Sequence, residues 1–239
     1  MAQSQYVEQQ IKSMVGRAVA HAQAGTTDAT DGIYRLPVES YSPRSWEEEM
    51  NAIFRRVPLM LGLSAELPQP GCYKAIKVLD VPVLLVRGDD MRVRAFINAC
   101  SHRGRAVTQT HDEIGQVKGF TCPYHAWRFS TGGALLAVAD ARKFGELDKE
   151  QNGLKELACE ERVGFIWVCI TRGRTFDIEH YLGDMLHELA GLEADKWFVH
   201  GRSQLESANW KITHDGYLES YHIPFLHRHT LFEFWKRES

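Results

Sequence analysis

Cys100-Ser101-His102-Arg103-Gly104 and Cys122-Pro123-Tyr124-His125-Ala126-Trp127 decide how this chain is read. The pattern is C-x-H, 19 intervening residues, then C-x-x-H. Each half sits among turn-forming residues, so each is expected to be a loop presenting one thiolate and one imidazole. Two thiolates and two imidazoles match the ligand set of a [2Fe–2S] cluster in which histidines replace cysteines on one iron. The residue types follow from the chemistry. Thiolates hold one ferric ion, while neutral imidazoles on the other raise the potential and keep a ring N–H for proton coupling. A structural zinc ion also accepts two Cys and two His, but zinc sites pair like ligands, as C-x(2–4)-C and H-x(3–5)-H. The mixed pairs favour the cluster. A zinc-stabilised interaction domain is the rival that the absence of acid-labile sulfide would mark.

With these loops and their flanks, the segment resembles the Rieske domain of ring-hydroxylating, non-haem iron oxygenases, in their α subunits. Respiratory-chain Rieske proteins resemble one another in two further cysteines that form a disulfide across the cluster loops. Here those places hold Arg105 and Tyr124, so the low-potential oxygenase type is the better match. The resemblance implies Cys100, His102, Cys122 and His125 as cluster ligands and Trp127 as a shield beside them. Arg103, next to His102, suggests hydrogen bonding around the ligands.

A second constellation lies near the C-terminus, in Gly216-Tyr217-Leu218-Glu219-Ser220-Tyr221-His222-Ile223-Pro224-Phe225-Leu226-His227. It reads E-x-x-H-x-x-x-x-H. Two histidines and a carboxylate on one face of an iron form the facial triad of Fe(II) oxygenases, whose open positions let O2 and substrate meet. Glu219 and His222 are i, i+3 and would share a helix face. His222 and His227 are too far around a regular helix to converge. Pro224 disfavours helix at Ile223, so a break is expected between the histidines, turning His227 toward the metal. Together with Asn209-Trp210-Lys211 upstream, the block resembles the mononuclear-iron motif of the same oxygenases. That resemblance implies His222 and His227 as iron ligands. It implies Glu219 as the carboxylate bridging two redox centres, hydrogen-bonded to a cluster histidine (His125 by position) of a neighbouring subunit. Asp215 lies in the block without an assigned role. The family's third iron ligand is an Asp far beyond Ser239; Glu233 is a poor substitute in its apolar setting. The chain therefore reads as the first half of an α subunit.

Outward from the motifs, the expected fold class is α+β. A small antiparallel β Rieske domain precedes the start of a helix-grip-like α+β catalytic domain. The expected boundaries are a helical arm over 1–45, the Rieske domain over 46–171, and the catalytic portion over 172–239. Ile11, Met14, Val15 and Ala18 give a weak helical stripe before a loop at 26–32. Ser45-Trp46-Glu47-Glu48-Glu49 reads as a helix start whose Glu run is a solvated face. Strands are expected at 73–79, 81–86, 91–97, 117–121, 127–129, 134–138 and 163–170, the last buried on both faces. Such short strands with Gly turns suggest a small barrel or sandwich carrying the cluster at the tip of two hairpins. Beyond 172, an amphipathic helix is expected over 178–192, a strand over 197–205 and a helix over 209–221. The run 59–61 is too short for a membrane helix.

The 239 residues are 44% hydrophobic and 25% charged, with a net charge of −3. Neither nucleic acid nor an anionic membrane is an expected partner, and no run approaches the ~20 apolar residues of a span. The N-terminus has no signal-peptide core, so a cytoplasmic location is expected. Five cysteines, mostly isolated, do not make a disulfide framework. The resemblance implies a [2Fe–2S] cluster and a mononuclear Fe(II), and a ferredoxin or flavin reductase as electron donor. It implies a small organic substrate, aromatic or related, with O2, and a homotrimeric or α/β hetero-oligomeric assembly. An electron-transfer-only Rieske protein, or an inactive truncated remnant, is the alternative.

Overall fold

Short apolar runs bounded by glycines become strands, and every strand pair among the described residues is antiparallel. The computed structural model describes residues 2–28, 32–108 and 113–232. It divides into two compact units, Met1–Ser42 and Pro43–Ser239. In the first unit, helix α1 (Ala2–Ala24) is followed by an extended stretch and a 3-10 turn at Val38–Tyr41. Within that unit the stripe residues Ile11, Met14 and Val15 face solvent. His21 hydrogen-bonds Asp28 at 2.7 Å, folding the chain back after the helix.

The second unit opens with α2 (Pro43–Glu49), whose first residue is a proline, where the missing N–H has no helical partner to lose. A π-helical turn, Met50–Phe54, extends it. Strands follow as β1 (Leu59–Leu63), β2 (Cys72–Val78), β3 (Val81–Arg87), β4 (Val93–Ile97), β5 (Glu113–Gln116) and β6 (Phe120–Thr121). Then come β7 (Arg128–Phe129), β8 (Leu135–Ala137), β9 (Glu156–Leu157), β10 (Cys159–Arg162) and β11 (Phe165–Val168). They form a five-stranded sheet ordered β5-β2-β3-β4-β9, with three-stranded sheets β1-β11-β10 and β6-β7-β8.

The five-stranded sheet has a core on each face, and strand alternation sorts the residues between them. Ala75, Leu84, Val86 and Phe96 pack with Phe120, Phe129 and Leu135. Their sequence neighbours Ile76, Val83, Leu85 and Ala95 pack with Ile166 and Val168. Strand β3 is thus buried on both sides, which is why its sequence runs apolar without alternation. The mixed helix and antiparallel-sheet architecture is the one expected. Strand β1, which the short run at 59–61 did not announce, pairs with β11. The β10–β11 hairpin turns on Val163 and Gly164, both with positive φ (48° and 83°), between the paired residues Arg162 and Phe165. That is the two-residue turn that suits the strand twist.

Three expectations beyond residue 172 are corrected. The single helix over 178–192 is two, α3 (Ile178–Leu182) and α4 (Met185–Gly191). Gly183 between them adopts φ 51°, ψ −127°, a conformation open to glycine and closed to most residues. The expected strand at 197–205 is irregular. Phe198 and Leu205 are 82% and 89% exposed, so the segment has no described sheet to pack on. The helix over 209–221 is α5 (Trp210–Leu218), ending before Glu219, and the proline begins a new helix, α6 (Ile223–Leu226). The break thus precedes His222 instead of separating the histidines. Pro224 sits at the start of α6, where a proline is tolerated. No described helix is long and apolar enough to cross a membrane.

Candidate functional site

The two Cys/His loops are closed by the same pair of backbone hydrogen bonds. In the first, the Cys100 N–H donates to the Arg105 carbonyl at 2.8 Å and the Gly104 N–H to the Cys100 carbonyl at 2.8 Å. In the second, the Cys122 N–H donates to the Trp127 carbonyl at 2.8 Å and the Ala126 N–H to the Cys122 carbonyl at 3.0 Å. The fourth residue after each cysteine is left-handed: Gly104 at φ 73° and Ala126 at φ 55°. One extra residue between Cys and His in the second loop leaves this closure unchanged. The first loop is further pinned by the buried Asn98, which accepts from the Val107 N–H at 3.1 Å and donates to Thr108 at 2.7 Å. Ser101 Oγ donates to the Asn152 carbonyl at 2.5 Å. The second loop joins β6 to β7, whose Phe120 and Phe129 are buried.

Cys100 and Cys122 are both buried. Burial, with Cys122 close by, pushes the Cys100 thiol up. Cys100 is not an exposed, acidified nucleophile; a bound cation is what would draw out its proton. The histidines form the second pair, with ring centroids 4.7 Å apart. Desolvation first, then His125 and Arg103, holds His102 below the ordinary imidazole value, in the neutral form a metal takes. His125 Nδ1 is buried without a hydrogen-bond partner, an orphaned donor atom of the kind a metal satisfies. Among the described residues, no set of three or more His, Cys, Asp or Glu is placed to hold a single metal ion. A two-iron cluster asks each iron for only a Cys pair or a His pair from the protein, which is how these four side chains are sorted. The residues fit the cluster. Trp127 is buried and stacks on His102 at 5.0 Å and 8°. Arg103 is exposed, and Tyr124 lies against His125 at 3.7 Å.

Glu219, His222 and His227 line one groove of about 460 Å³, with Ile212, Tyr217 and Leu226 among its walls. Glu219 is extended (φ −118°, ψ 152°) and not helical, so no helix face brings it to His222. They meet anyway. His222 Nδ1 hydrogen-bonds Glu219 Oε1, and the His222 N–H donates to Glu219 Oε2 at 3.2 Å. The hydrogen bond from His222 holds the Glu219 carboxyl below its usual range. His222 and His227 flank α6, their ring centroids 5.3 Å apart. Asp215 is exposed and lines no part of the groove, and Glu233 lies outside the described residues.

Two residues that touch these sites carry no motif. Glu49, read in sequence as part of a solvated face, has a side chain only 15% exposed. It accepts from Trp210 Nε1 at 2.7 Å and pairs with Lys211; the Lys211 contact first, then that of Trp210, lowers its carboxyl below the usual value. Phe54 meets Trp210 edge-on at 5.5 Å. The Asn209-Trp210-Lys211 block thus docks α5 on α2. The second residue is Phe144, whose ring meets both His102 and Trp127. No spacing rule could have flagged either contact.

Comparison with known proteins finds matches to the segments that carry both sites. Residues 57–153 match the Rieske [2Fe-2S] domain, and residues 194–239 match the ring hydroxylating alpha subunit (catalytic domain). A chain carrying both in this order belongs to the Rieske non-haem iron oxygenases, as a large-subunit sequence. That family carries a [2Fe–2S] cluster and a mononuclear iron. The glycine betaine monooxygenase oxygenase subunit of Chromohalobacter salexigens is 34% identical over 88% of this chain and 47% of its own length. The naphthalene 1,2-dioxygenase large oxygenase component of Pseudomonas aeruginosa is 34% identical over 78% of this chain and 42% of its own. The apo crystal structure of the quaternary ammonium Rieske monooxygenase CntA superposes with a TM-score of 0.72 at 31% identity, covering 81% of this chain and 57% of that one. The chain spans about half the length of the curated relatives it matches.

Proposed function

We propose that this chain receives electrons at a [2Fe–2S] cluster held by Cys100, His102, Cys122 and His125, and carries His222 and His227 as ligands of a mononuclear iron in an oxygenase α subunit. The observation that carries the reading is the pair of identically closed loops, with their thiols and imidazoles sorted two and two and a buried, unpartnered Nδ1 on His125. Arg103 and Trp127 surround the histidine side of that site. When bound, the metals supply one-electron transfer and activation of O2 for hydroxylation of an organic substrate. The chain's own part is to position and to hold protons. Glu219, by accepting from His222 Nδ1, fixes the ring's tautomer and leaves Nε2 as the metal-binding nitrogen. We assign Glu219 also as the carboxylate through which a cluster histidine of a neighbouring copy, His125 by position, is reached.

Within this reading the electron donor is a ferredoxin or flavin reductase, and the assembly is a homotrimer or α/β hetero-oligomer. The apolar walls of the groove suit a small aromatic or related organic molecule. Relatives named as glycine betaine monooxygenase and as naphthalene 1,2-dioxygenase subunits both match this chain, so mono- and dioxygenation are equally compatible. Reduced, disulfide-free cysteines fit a cytoplasmic setting. The test is iron and sulfide analysis with visible and EPR spectra. A Rieske spectrum with acid-labile sulfide is expected, together with additional iron that His222→Ala removes while the spectrum stays unchanged. Cluster without additional iron would leave an electron carrier. Metal without sulfide would overturn the assignment.

A further inference from the structure

The ring of His102 is enclosed on more than one side. Trp127 stacks on its face, and Phe144 meets it edge-on, centroids 5.5 Å apart at 83°. Phe144 also meets Trp127 at 5.6 Å and 75°, so the three rings form one cluster. Phe144 comes from outside both loops, on the 3-10 turn Ala141–Phe144. Left-handed residues bracket that turn, Asp140 at φ 52° and Gly145 at φ 64°. Asp140 also ties it down, accepting from the Lys143 N–H at 2.8 Å and pairing with Lys143 Nζ at 2.8 Å. At 36% exposure, Phe144 stands between the His102 side of the site and solvent.

We propose that Phe144 is a tuning residue for the cluster: it screens the histidine-bound iron from water and thereby lowers the reduction potential. The inference rests on the assignment of the cluster to these loops. Two ferric ions, two sulfides and two thiolates sum to zero charge, so the added electron creates the anionic form. An apolar, water-excluding wall disfavours that form, and water stabilises it. Removing the wall therefore raises the potential.

The experiment compares the cluster-loaded wild-type chain with Phe144→Ala and Phe144→Leu. The midpoint potential is read by spectroelectrochemistry and water access by deuterium modulation of the EPR signal in D2O. Phe144→Ala is expected to raise the midpoint by about 30 mV, a roughly threefold change in the reduced-to-oxidised ratio at 59 mV per decade, with deeper deuterium modulation. Phe144→Leu, which keeps apolar bulk, gives a smaller shift of the same sign and carries the test if the alanine variant does not load. Wild-type potential and modulation in the variants would overturn the role of Phe144 while leaving the cluster in place. No Rieske spectrum in the wild-type chain would instead overturn the underlying cluster assignment, and the tuning role with it.

Discussion

Replacing Glu49 should loosen the helix that leads to the iron motif while leaving the cluster domain unmoved. Glu49 accepts a 2.7 Å hydrogen bond from Trp210 Nε1 and pairs with Lys211, at the first two positions of α5. The Glu49 and Lys211 side chains are 15% and 25% exposed, so solvent screens the pair only in part. Hydrogen bonds to a charged group contribute about 1.5–3 kcal/mol. Taking about 2 kcal/mol for Glu49→Ala, and about 1.4 kcal/mol per decade, the opening equilibrium of α5 shifts about 30-fold. Native-state hydrogen exchange reads this directly, because local opening and global unfolding separate by residue. Amides over 213–218 should exchange about 30-fold faster, and those of β3 at the wild-type rate. Glu49→Gln keeps an acceptor for Trp210 but loses the charge, and should fall between.

The pH dependence supplies a second check. The carboxyl of Glu49 is held below its ordinary value of 4.5 by Lys211 and Trp210. Its contribution is therefore fully present above 4.5 and is lost as pH falls through the lower, folded-state value. The exchange gap between wild type and Glu49→Gln should close as the solution is acidified through that range. Unchanged exchange over 213–218 in Glu49→Ala would refute the clamp. So would an equal acceleration in β3, which would make Glu49 a general stabiliser.

Three further outcomes are expected. Ala126 is left-handed at φ 55°, so Ala126→Gly should stabilise the chain by about 0.5–1 kcal/mol and Ala126→Val should destabilise it by about 1–2 kcal/mol, both read by thermal melting. A Cβ added at Gly164 would lie 2.4 Å from the Ala194 carbonyl carbon and the Asp195 nitrogen; Gly164→Ala should cost about 2 kcal/mol or more, lowering Tm by at least about 4 °C. Cys122→Ser should abolish the cluster spectrum yet retain the far-UV circular dichroism of the sheets, since the second loop is closed by backbone bonds that the sulfur does not make.

What could be read from the chain tracks how local the determining physics is. The paired Cys/His loops were legible because a metal cluster restricts the residue types and tight loops restrict the spacing. Strand β3 was legible as an uninterrupted apolar run, and its burial on two faces explains that run. The break at Gly183 was missed because a glycine inside a periodic stretch reads as a tolerated blemish until its φ is known. The end of α5 was misplaced for a related reason. Pro224 was taken to end a helix, whereas the extended Glu219 had already done so and the proline starts the next one. Glu49 and Phe144 were invisible as site residues because their partners lie across the fold. Glu49 sits 161 positions from Trp210, and a run of three glutamates looks solvated whichever of them turns inward.

The two halves of the site are held by different means, and this bears on how each can work. The candidate cluster loops are closed by backbone hydrogen bonds and seated between buried strand residues, contacts that do not involve a metal. Electron transfer rewards this, since a site that does not rearrange spends nothing on reorganisation. The iron motif instead rests on helices of nine and four residues, lengths that are marginal without packing. Its neighbours Tyr217 and Tyr221 are 87% and 82% exposed, so little of the holding comes from burial. The Glu49 contacts, the Asn209 side chain accepting from the Lys211 N–H at 3.0 Å, and the Glu219–His222 pair must do most of it. Each acts on a single turn of chain. Disturbing any one of them should therefore reach His222 and His227 and stop short of the Cys/His loops.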